Sequence, residues 1–223
     1  VSEGDVFRDR LEAGRALAAH LEGRLAGKAD TVVLAIPRGG VLVAAPVARA
    51  LAAALDIVVP RKIGAPGDAE LAVGAVAVAD GEEIVIVSEA LCQQLGVGRG
   101  YLDETARRQR QEIERRVAAY RGDRPAERLG GRRVVLVDDG VATGQTARAA
   151  ARAIGRAGPS EVVFAVPVAP LSTIEAFARE GLRLEAVVAA RELFSVSQFY
   201  EDFHAVSDDE VRDVLGSYWL ARE

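Results

Sequence analysis

The chain has 223 residues, 50% of them hydrophobic and 27% charged, with a net charge of −5 and a pI near 5.3. That length permits one full α/β core, and the mild acidity argues against a general polyanion binder. The single cysteine, Cys92, excludes an internal disulfide and a cysteine-based zinc cluster.

The charged start, residues 1–10, lacks the basic-then-apolar pattern of a secretion signal. No uncharged apolar run approaches about 18 residues, since Arg49 and Asp56 interrupt the longest candidate, so a cytoplasmic protein without a membrane span is expected. Phe7, Leu11, Gly14, Leu17, Ala18 and Leu21 recur at helical spacing and predict a first amphipathic helix. Residues 31–36 read as a buried strand ending at Pro37-Arg38-Gly39-Gly40. Residues 41–55 read as an Ala-rich helix, with Pro46 tolerated only in the first turn, and 56–60 as the next strand. This βαβ order implies a parallel sheet with a right-handed crossover.

Residues 61–71, carrying Gly64, Pro66, Gly67 and Asp68, read as a loop. Two β-prone runs, 73–79 and 83–87, are joined through Asp80-Gly81, a hairpin signal. A short helix is expected over 88–94. A charged helix follows over 101–120, with Glu104–Arg108 and Glu112–Arg116 pairs one turn apart. Residues 121–133 form a polar linker. Strands over 133–137, 162–166 and 184–190 then alternate with helices over 145–157 and 171–180. Ser207-Asp-Asp-Glu210 predicts a capping box that opens a terminal helix to about residue 220. The expected architecture is α/β: a mostly parallel, Rossmann-like sheet with helices on both faces, an antiparallel hairpin at its rim and a small helical hood. A single domain over 1–223 is expected, with a helical insertion at about 88–128 and a hood or tail at about 192–223.

The densest chemical signal is 134–146, Val-Val-Leu-Val-Asp-Asp-Gly-Val-Ala-Thr-Gly-Gln-Thr. A buried strand runs into two carboxylates, Asp138 and Asp139, and then into a loop of small and hydroxylated residues ahead of a helix. Open α/β sheets place ligands at the carboxyl ends of their strands. Carboxylates there can hold sugar hydroxyls or a metal, while loop amides and a helix N-terminus can hold a phosphate. Gly140 permits the turn that lets both acids reach one ligand, and Gly144 permits close approach of backbone to phosphate. The segment lacks both the P-loop Gly-Lys-Ser/Thr and the Gly-x-Gly-x-x-Gly dinucleotide pattern.

Residues 134–146 resemble the phosphoribosyl pyrophosphate motif of type I phosphoribosyltransferases. The resemblance implies that Asp138 and Asp139 bind the ribose 2- and 3-hydroxyls, directly or through Mg²⁺. It also implies that Gly140, Ala142, Thr143, Gly144, Gln145 and Thr146 wrap the 5-phosphate. Ala142 departs from purine-salvage members that carry an acid there, so proton transfer from that position is unavailable. Arg38, Gly39 and Gly40 match the family's pyrophosphate loop. Arg61 and Lys62 stand where related enzymes place a cation over the departing pyrophosphate, and Lys62 is grouped with the two acids as catalytic. Glu70 and the hairpin over 73–87 stand in the place of the family's lid. The set Pro-Arg-Gly-Gly, Arg-Lys-Ile-Gly-Ala-Pro and Asp-Asp-Gly-Val-Ala-Thr-Gly is similar to stand-alone prokaryotic phosphoribosyltransferase-domain proteins whose acceptor is open.

The implied function is transfer of a phosphoribosyl group to a nitrogenous base or related nucleophile, with release of pyrophosphate. The alternative is a non-catalytic regulator that binds the same donor. A phosphate-ester hydrolase explains only one of the two loops. For the acceptor, the aromatic segment 194–203 offers Phe199 or Tyr200 as stacking candidates, although such a cluster also suits a core. His20 and His204 read as structural or solvated. Residues 99–133 hold eleven arginines against six acids and read as a salt-bridged helix. A homo-oligomer contact is the functional alternative, and a nucleic-acid face is disfavoured because only Tyr101 and Tyr120 interleave.

Overall fold

The structure, a computed structural model, describes residues 6–25, 30–79 and 82–222. In chain order the elements are α1 (Arg10–Glu22), β1 (Thr31–Ala35), α2 (Gly39–Ala50), β2 (Ala54–Ile57), β3 (Arg61–Ala65), β4 (Asp68–Ala79), β5 (Glu82–Val87), α3 (Glu89–Leu95), α4 (Arg99–Arg121), β6 (Arg133–Val137), α5 (Gln145–Gly155), β7 (Glu161–Pro170), α6 (Leu171–Arg179), β8 (Arg183–Ala190) and α7 (Asp208–Leu220).

The sequences TVVLA, RVVLV and EVVFAVPVAP of β1, β6 and β7 are apolar and β-branched on both alternating sets. Such runs suit strands covered on two faces, which is the environment of a parallel sheet. They form a five-stranded parallel sheet in the order β2-β1-β6-β7-β8. Alternation sorts the side chains into two cores. Val33, Ala35, Val135, Val137 and Val163 pack with α1, α2 and α7. Val32, Leu34, Val134, Leu136 and Phe164 pack with α5, α6 and residues of a second sheet.

The second sheet corrects one expectation. Residues 61–71 are not a loop: β3 and β4 pair antiparallel through a tight turn at Pro66-Gly67, where Gly67 has φ +80°. Pro followed by a residue with positive φ is what a type II turn requires, so two residues suffice to reverse the chain. β4 then pairs with β5 in a register that ends at Ala79↔Glu82. The Asp80-Gly81 turn expected between them lies outside the described residues. The anticipated two-stranded hairpin is thus a three-stranded sheet, β3-β4-β5. One face of it packs on α4, through Val76 and Ile113. The other packs toward α5, through Ala77 and Ile84.

Two further differences have local causes. Helix α1 starts at Arg10 because Asp9 caps it, accepting a hydrogen bond from the Glu12 amide at 2.7 Å. Phe7 therefore precedes the helix, Leu11 faces outward, and the buried stripe is Arg10, Ala13, Gly14, Leu17, Ala18 and Leu21. Pro46 sits in the body of α2 rather than in its first turn. Its ring is buried over Gly14, where a Cβ would meet Pro46 Cγ at 3.0 Å and the Val43 carbonyl at 2.6 Å. Close helix contact and apolar burial offset the backbone bond that proline forgoes. Among the described residues no helix is long and apolar enough to cross a membrane.

The chain between β8 and α7 folds back over the sheet through a short 3-10 helix, Val196–Phe199. It pairs with the segment before α1: the Phe7 amide donates to the Phe199 carbonyl at 2.9 Å, and the Glu201 amide donates to the Phe7 carbonyl at 2.8 Å. The capping box at Ser207 and Glu210 forms as expected.

Candidate active site

Strand β1 has β2 on one side and β6 on the other, so chain order reverses between β1 and β6. Loops leaving the carboxyl ends of such neighbours diverge to opposite faces and leave a crevice where ligands bind. Here the two loops are those following β1 and β6, with Ala35 and Val137 in register and the Ile36 amide donating to the Val137 carbonyl at 2.8 Å. The structure thus brings Arg38-Gly39-Gly40 against Asp138-Asp139. Both glycines are sterically required. A Cβ on Gly39 would fall 1.9 Å from Asp139 Oδ2, and one on Gly40 would fall 2.8 Å from the Val137 carbonyl and 3.0 Å from Asp138 Cα. The Pro37–Arg38 peptide is cis.

The two acids differ in their surroundings. Asp138 accepts a hydrogen bond from the Asp139 amide at 2.8 Å. Burial, and then the neighbouring Asp139 charge, push its carboxyl well above the ordinary carboxylate range. Asp139 Oδ2 accepts from Arg10 Nε at 2.8 Å, and its backbone carbonyl accepts from Tyr200 Oη at 2.6 Å. Arg10 is itself buried, at 5% exposure. Sequence reasoning missed this guanidinium. The available signal was its place on the apolar stripe of α1, three and four residues before Ala13 and Gly14.

Beyond the acids, Gly140 lies where a Cβ would meet Val196 at 2.3 Å, so the 3-10 helix covers this turn directly. Ala142 and Thr143 are exposed, and the Ala142 carbonyl accepts from Thr173 Oγ1 of α6. Gly144 caps α5 with φ +68°, and a Cβ there would meet Phe177 Cε2 at 2.9 Å. Gln145 and Thr146 open α5 through their backbone; their side chains, like that of Glu70, lie outside the described residues. The loop between β6 and α5 therefore presents exposed small residues directly ahead of a helix N-terminus, a suitable cradle for an anion.

The three cations are dispersed. Arg38 is half exposed and its Nη1 lies 3.7 Å from Asp208 Oδ1 at the start of α7. Arg61 and Lys62 lie on β3 of the second sheet, and strand alternation turns them to opposite faces. Arg61 stands opposite Val76 on the α4 side, where its Nε donates to Gln109 Oε1 at 2.8 Å. Lys62 stands opposite Ala75 on the other side. The structure therefore does not bring Arg61 and Lys62 together on one face of β3.

The aromatic segment is mostly core. Phe199 and Tyr200 are buried at 7% and 6% exposure, and the Tyr200 ring packs against Phe7 and Phe203 at 5.7 and 4.9 Å. Neither offers a face for stacking on a base, whereas Phe194 of the same segment is 89% exposed. His20 bonds Glu185 at 3.1 Å, and His204 bridges Asp202 and Glu210. A groove of about 980 Å³ between β5, α3 and α4 includes neither strand-end loop in its lining. The adjoining acids, glycines and helix N-terminus are better evidence of chemistry than that volume.

The sequence profile described as phosphoribosyl transferase domain matches residues 7–178. Two Mycobacterium tuberculosis proteins, from strains H37Rv and CDC 1551, are named as candidate phosphoribosyl transferases. Each is 41% identical to this chain over 207 residues. The match covers 92% of this chain and 45% of each relative, so the chain spans about half the length of the curated relatives it matches. The crystal structure of TT1426 from Thermus thermophilus superposes with a TM-score of 0.82 at 40% identity, covering 96% of this chain and 99% of that one.

Proposed function

Because this chain belongs to the family of phosphoribosyl transferase domains, we propose that it transfers the 5-phosphoribosyl group of phosphoribosyl pyrophosphate to a nitrogen nucleophile. The C1–O bond to pyrophosphate breaks with its electron pair leaving on pyrophosphate, and a C1–N bond forms from the nucleophile's lone pair. The observation that carries this reading is the contact of the two strand-end loops, with Gly39 beside Asp139 and Gly40 beside Asp138. It supports one crevice for a sugar phosphate and its diphosphate tail.

In this reading Asp138 and Asp139 accept the ribose hydroxyls. The loop from Ala142 to Thr146 and the start of α5 hold the 5-phosphate. The amides of Gly39 and Gly40 face the pyrophosphate. Arg38 swings from its exposed contact with Asp208 to the leaving group, since a half-exposed ion pair is worth little. Lys62, on the face of β3 away from α4, is the cation assigned to the donor, because Arg61 is turned toward Gln109. Two adjacent carboxyl groups give an oxygen-rich site, and a hard cation there would favour the charged form of the buried Asp138. Mg²⁺ would be held by donor oxygens and by Asp138, and would neutralise charge developing on pyrophosphate. Ala142 supplies no proton acceptor, so the nucleophile loses its proton to solvent or to another group. Phe194 offers the exposed aromatic platform for a heterocyclic acceptor.

The test is release of pyrophosphate from the donor with Mg²⁺ and a panel of nitrogenous bases. Asp138→Asn and Asp139→Asn each remove a charge-assisted contact worth about 1.5–3 kcal/mol, so turnover should fall about 10- to 100-fold. Pyrophosphate release at wild-type rate in the double variant overturns the assignment. Tight donor binding with no release under any base supports the regulator instead.

A further inference from the structure

We propose that Arg10 is a positioning residue that fixes Asp139 for ribose recognition and ties that acid to the tail that covers the site. The inference rests on the reading of Asp139 as a ribose-hydroxyl acceptor. Its basis is the convergence of four separate chain segments on one guanidinium. Arg10 comes from α1. Its Nε donates to Asp139 Oδ2 at 2.8 Å, in the loop after β6. Its Nη1 donates to the His204 carbonyl at 2.9 Å, and its Cζ lies 3.9 Å from the centre of the Phe203 ring, both in the tail. Gly39, in the loop after β1, leaves the space, since a Cβ there would lie 2.8 Å from Arg10 Nε.

A guanidinium is a rigid planar fork. Two acceptors bound on different nitrogens, with an aromatic ring against its plane, fix its position and orientation together. That constraint passes to Asp139, whose Oδ2 accepts from Arg10, so the orientation of its carboxylate is set by the fork. Tyr200 Oη holds the same residue by its carbonyl, so the tail grips Asp139 both directly and through Arg10. Asp138 is held instead by the amide of its own neighbour, Asp139. The pair is thereby divided: one acid is fixed by distant segments, and the other is braced only locally.

The readout that separates positioning from bulk stability is discrimination between ribose 5-phosphate and 2-deoxyribose 5-phosphate, measured by calorimetry on the full chain. The phosphate and the 3-hydroxyl are common to both ligands, so a general loss of structure weakens both alike, whereas displacing Asp139, assigned in this proposal to the 2-hydroxyl, weakens only the ribose. Arg10→Met should lower the ratio of affinities at least 5-fold. Arg10→Lys, which keeps the charge but lacks the fork, should lower it by less. Tyr200→Phe keeps the ring and removes the bond to the Asp139 carbonyl, and should move the ratio the same way. If Arg10→Met fails to fold, the other two variants decide. A ratio equal to wild type in the folded variants overturns the proposal while leaving the donor reading intact. Failure of the wild type to bind either sugar phosphate overturns both.

Discussion

At the scale of single residues, two glycines beside the acids separate stability from recognition. Gly144 holds φ +68° and has Phe177 and Thr173 within 3.0 Å of where a Cβ would stand. Alanine there must adopt a disfavoured backbone and displace a buried ring. Gly144→Ala should therefore cost about 1–3 kcal/mol in urea denaturation and also weaken phosphate binding. Gly39 differs: the added Cβ meets the Asp139 side chain and Arg10 Nε rather than a core ring, so it displaces the groups proposed for recognition. Gly39→Ala should leave the unfolding midpoint closer to wild type than Gly144→Ala does, while reducing ribose 5-phosphate affinity at least 10-fold by calorimetry. Equal effects of both substitutions on both measurements would remove the distinction between the two loops.

At the scale of elements, the tail is fastened by a latch that depends on pH. His204 Nδ1 lies 3.1 Å from Asp202 Oδ1, and its Nε2 lies 2.8 Å from Glu210 Oε1. Glu210 and then Asp202 raise the imidazole above its ordinary value. The Ser207 amide, followed by His204, lowers the Glu210 carboxyl to about 2. A raised histidine stabilises fully below its unfolded value of about 6.5, and that stabilisation is lost as pH rises through the folded value. A depressed glutamate contributes above about 4.3 and loses its contribution as pH falls toward its folded value. The latch is therefore strongest between about pH 4.5 and 6.5. The difference in urea midpoint between wild type and His204→Gln should peak there and shrink by about pH 8.5, two units above the ordinary histidine value; a difference constant with pH would show that the imidazole contributes no charge. Ser207→Ala, which removes the cap of α7, should cost about 1 kcal/mol in the same assay. The Arg10 fork was not legible in the sequence, because its partners are brought together only by the fold: Arg10 and Asp139 are separated by 129 positions. By contrast β1, β6 and β7 were legible, since uninterrupted apolar runs need no partner to be recognised, and the two loops followed from lying at strand ends. Residues 61–71 misled because Gly64, Pro66 and Gly67 suggest a loop, whereas one Pro-Gly turn and pairing to 68–76 make strands of the remainder. Phe199 and Tyr200 fall in the core, as an aromatic cluster ahead of a terminal helix suggests, although Phe7, the ring that packs on Tyr200, stands at the opposite end of the sequence.

At the scale of the whole molecule, the parallel sheet and the three-stranded sheet are joined by α4. Its middle packs on the smaller sheet through Ile113, while its end reaches the larger one. There Arg121 Nε donates to Asp56 Oδ1 at 2.9 Å and Arg121 Nη2 donates to the Ile57 carbonyl at 3.3 Å. Asp56, 3% exposed, also accepts from the Glu127 amide at 2.9 Å and from the Ile57 amide at 2.7 Å. The neighbouring Tyr120 Oη donates to Asp208 Oδ1 at 2.8 Å, the same carboxylate oxygen that lies near Arg38. One helix end thus connects β2, α7 and the cation proposed for the leaving group. Removing one member of a buried, hydrogen-bonded pair strands the other charge and typically costs about 3–5 kcal/mol, while replacing both with apolar groups of similar size is often close to neutral. Asp56→Ala should lose stability in that range, a large share of the about 5–15 kcal/mol that holds a domain folded. The double variant Asp56→Leu with Arg121→Met should recover most of the loss. Urea unfolding of wild type, the two single variants and the double variant in a double-mutant cycle measures the coupling. A single-variant loss below about 1 kcal/mol would mean that α4 is fastened to β2 by its apolar face and not by this pair. Recovery of stability in the double variant without recovery of phosphoribosyl pyrophosphate binding would separate the pair's role in holding the sheets together from any role in placing Arg38.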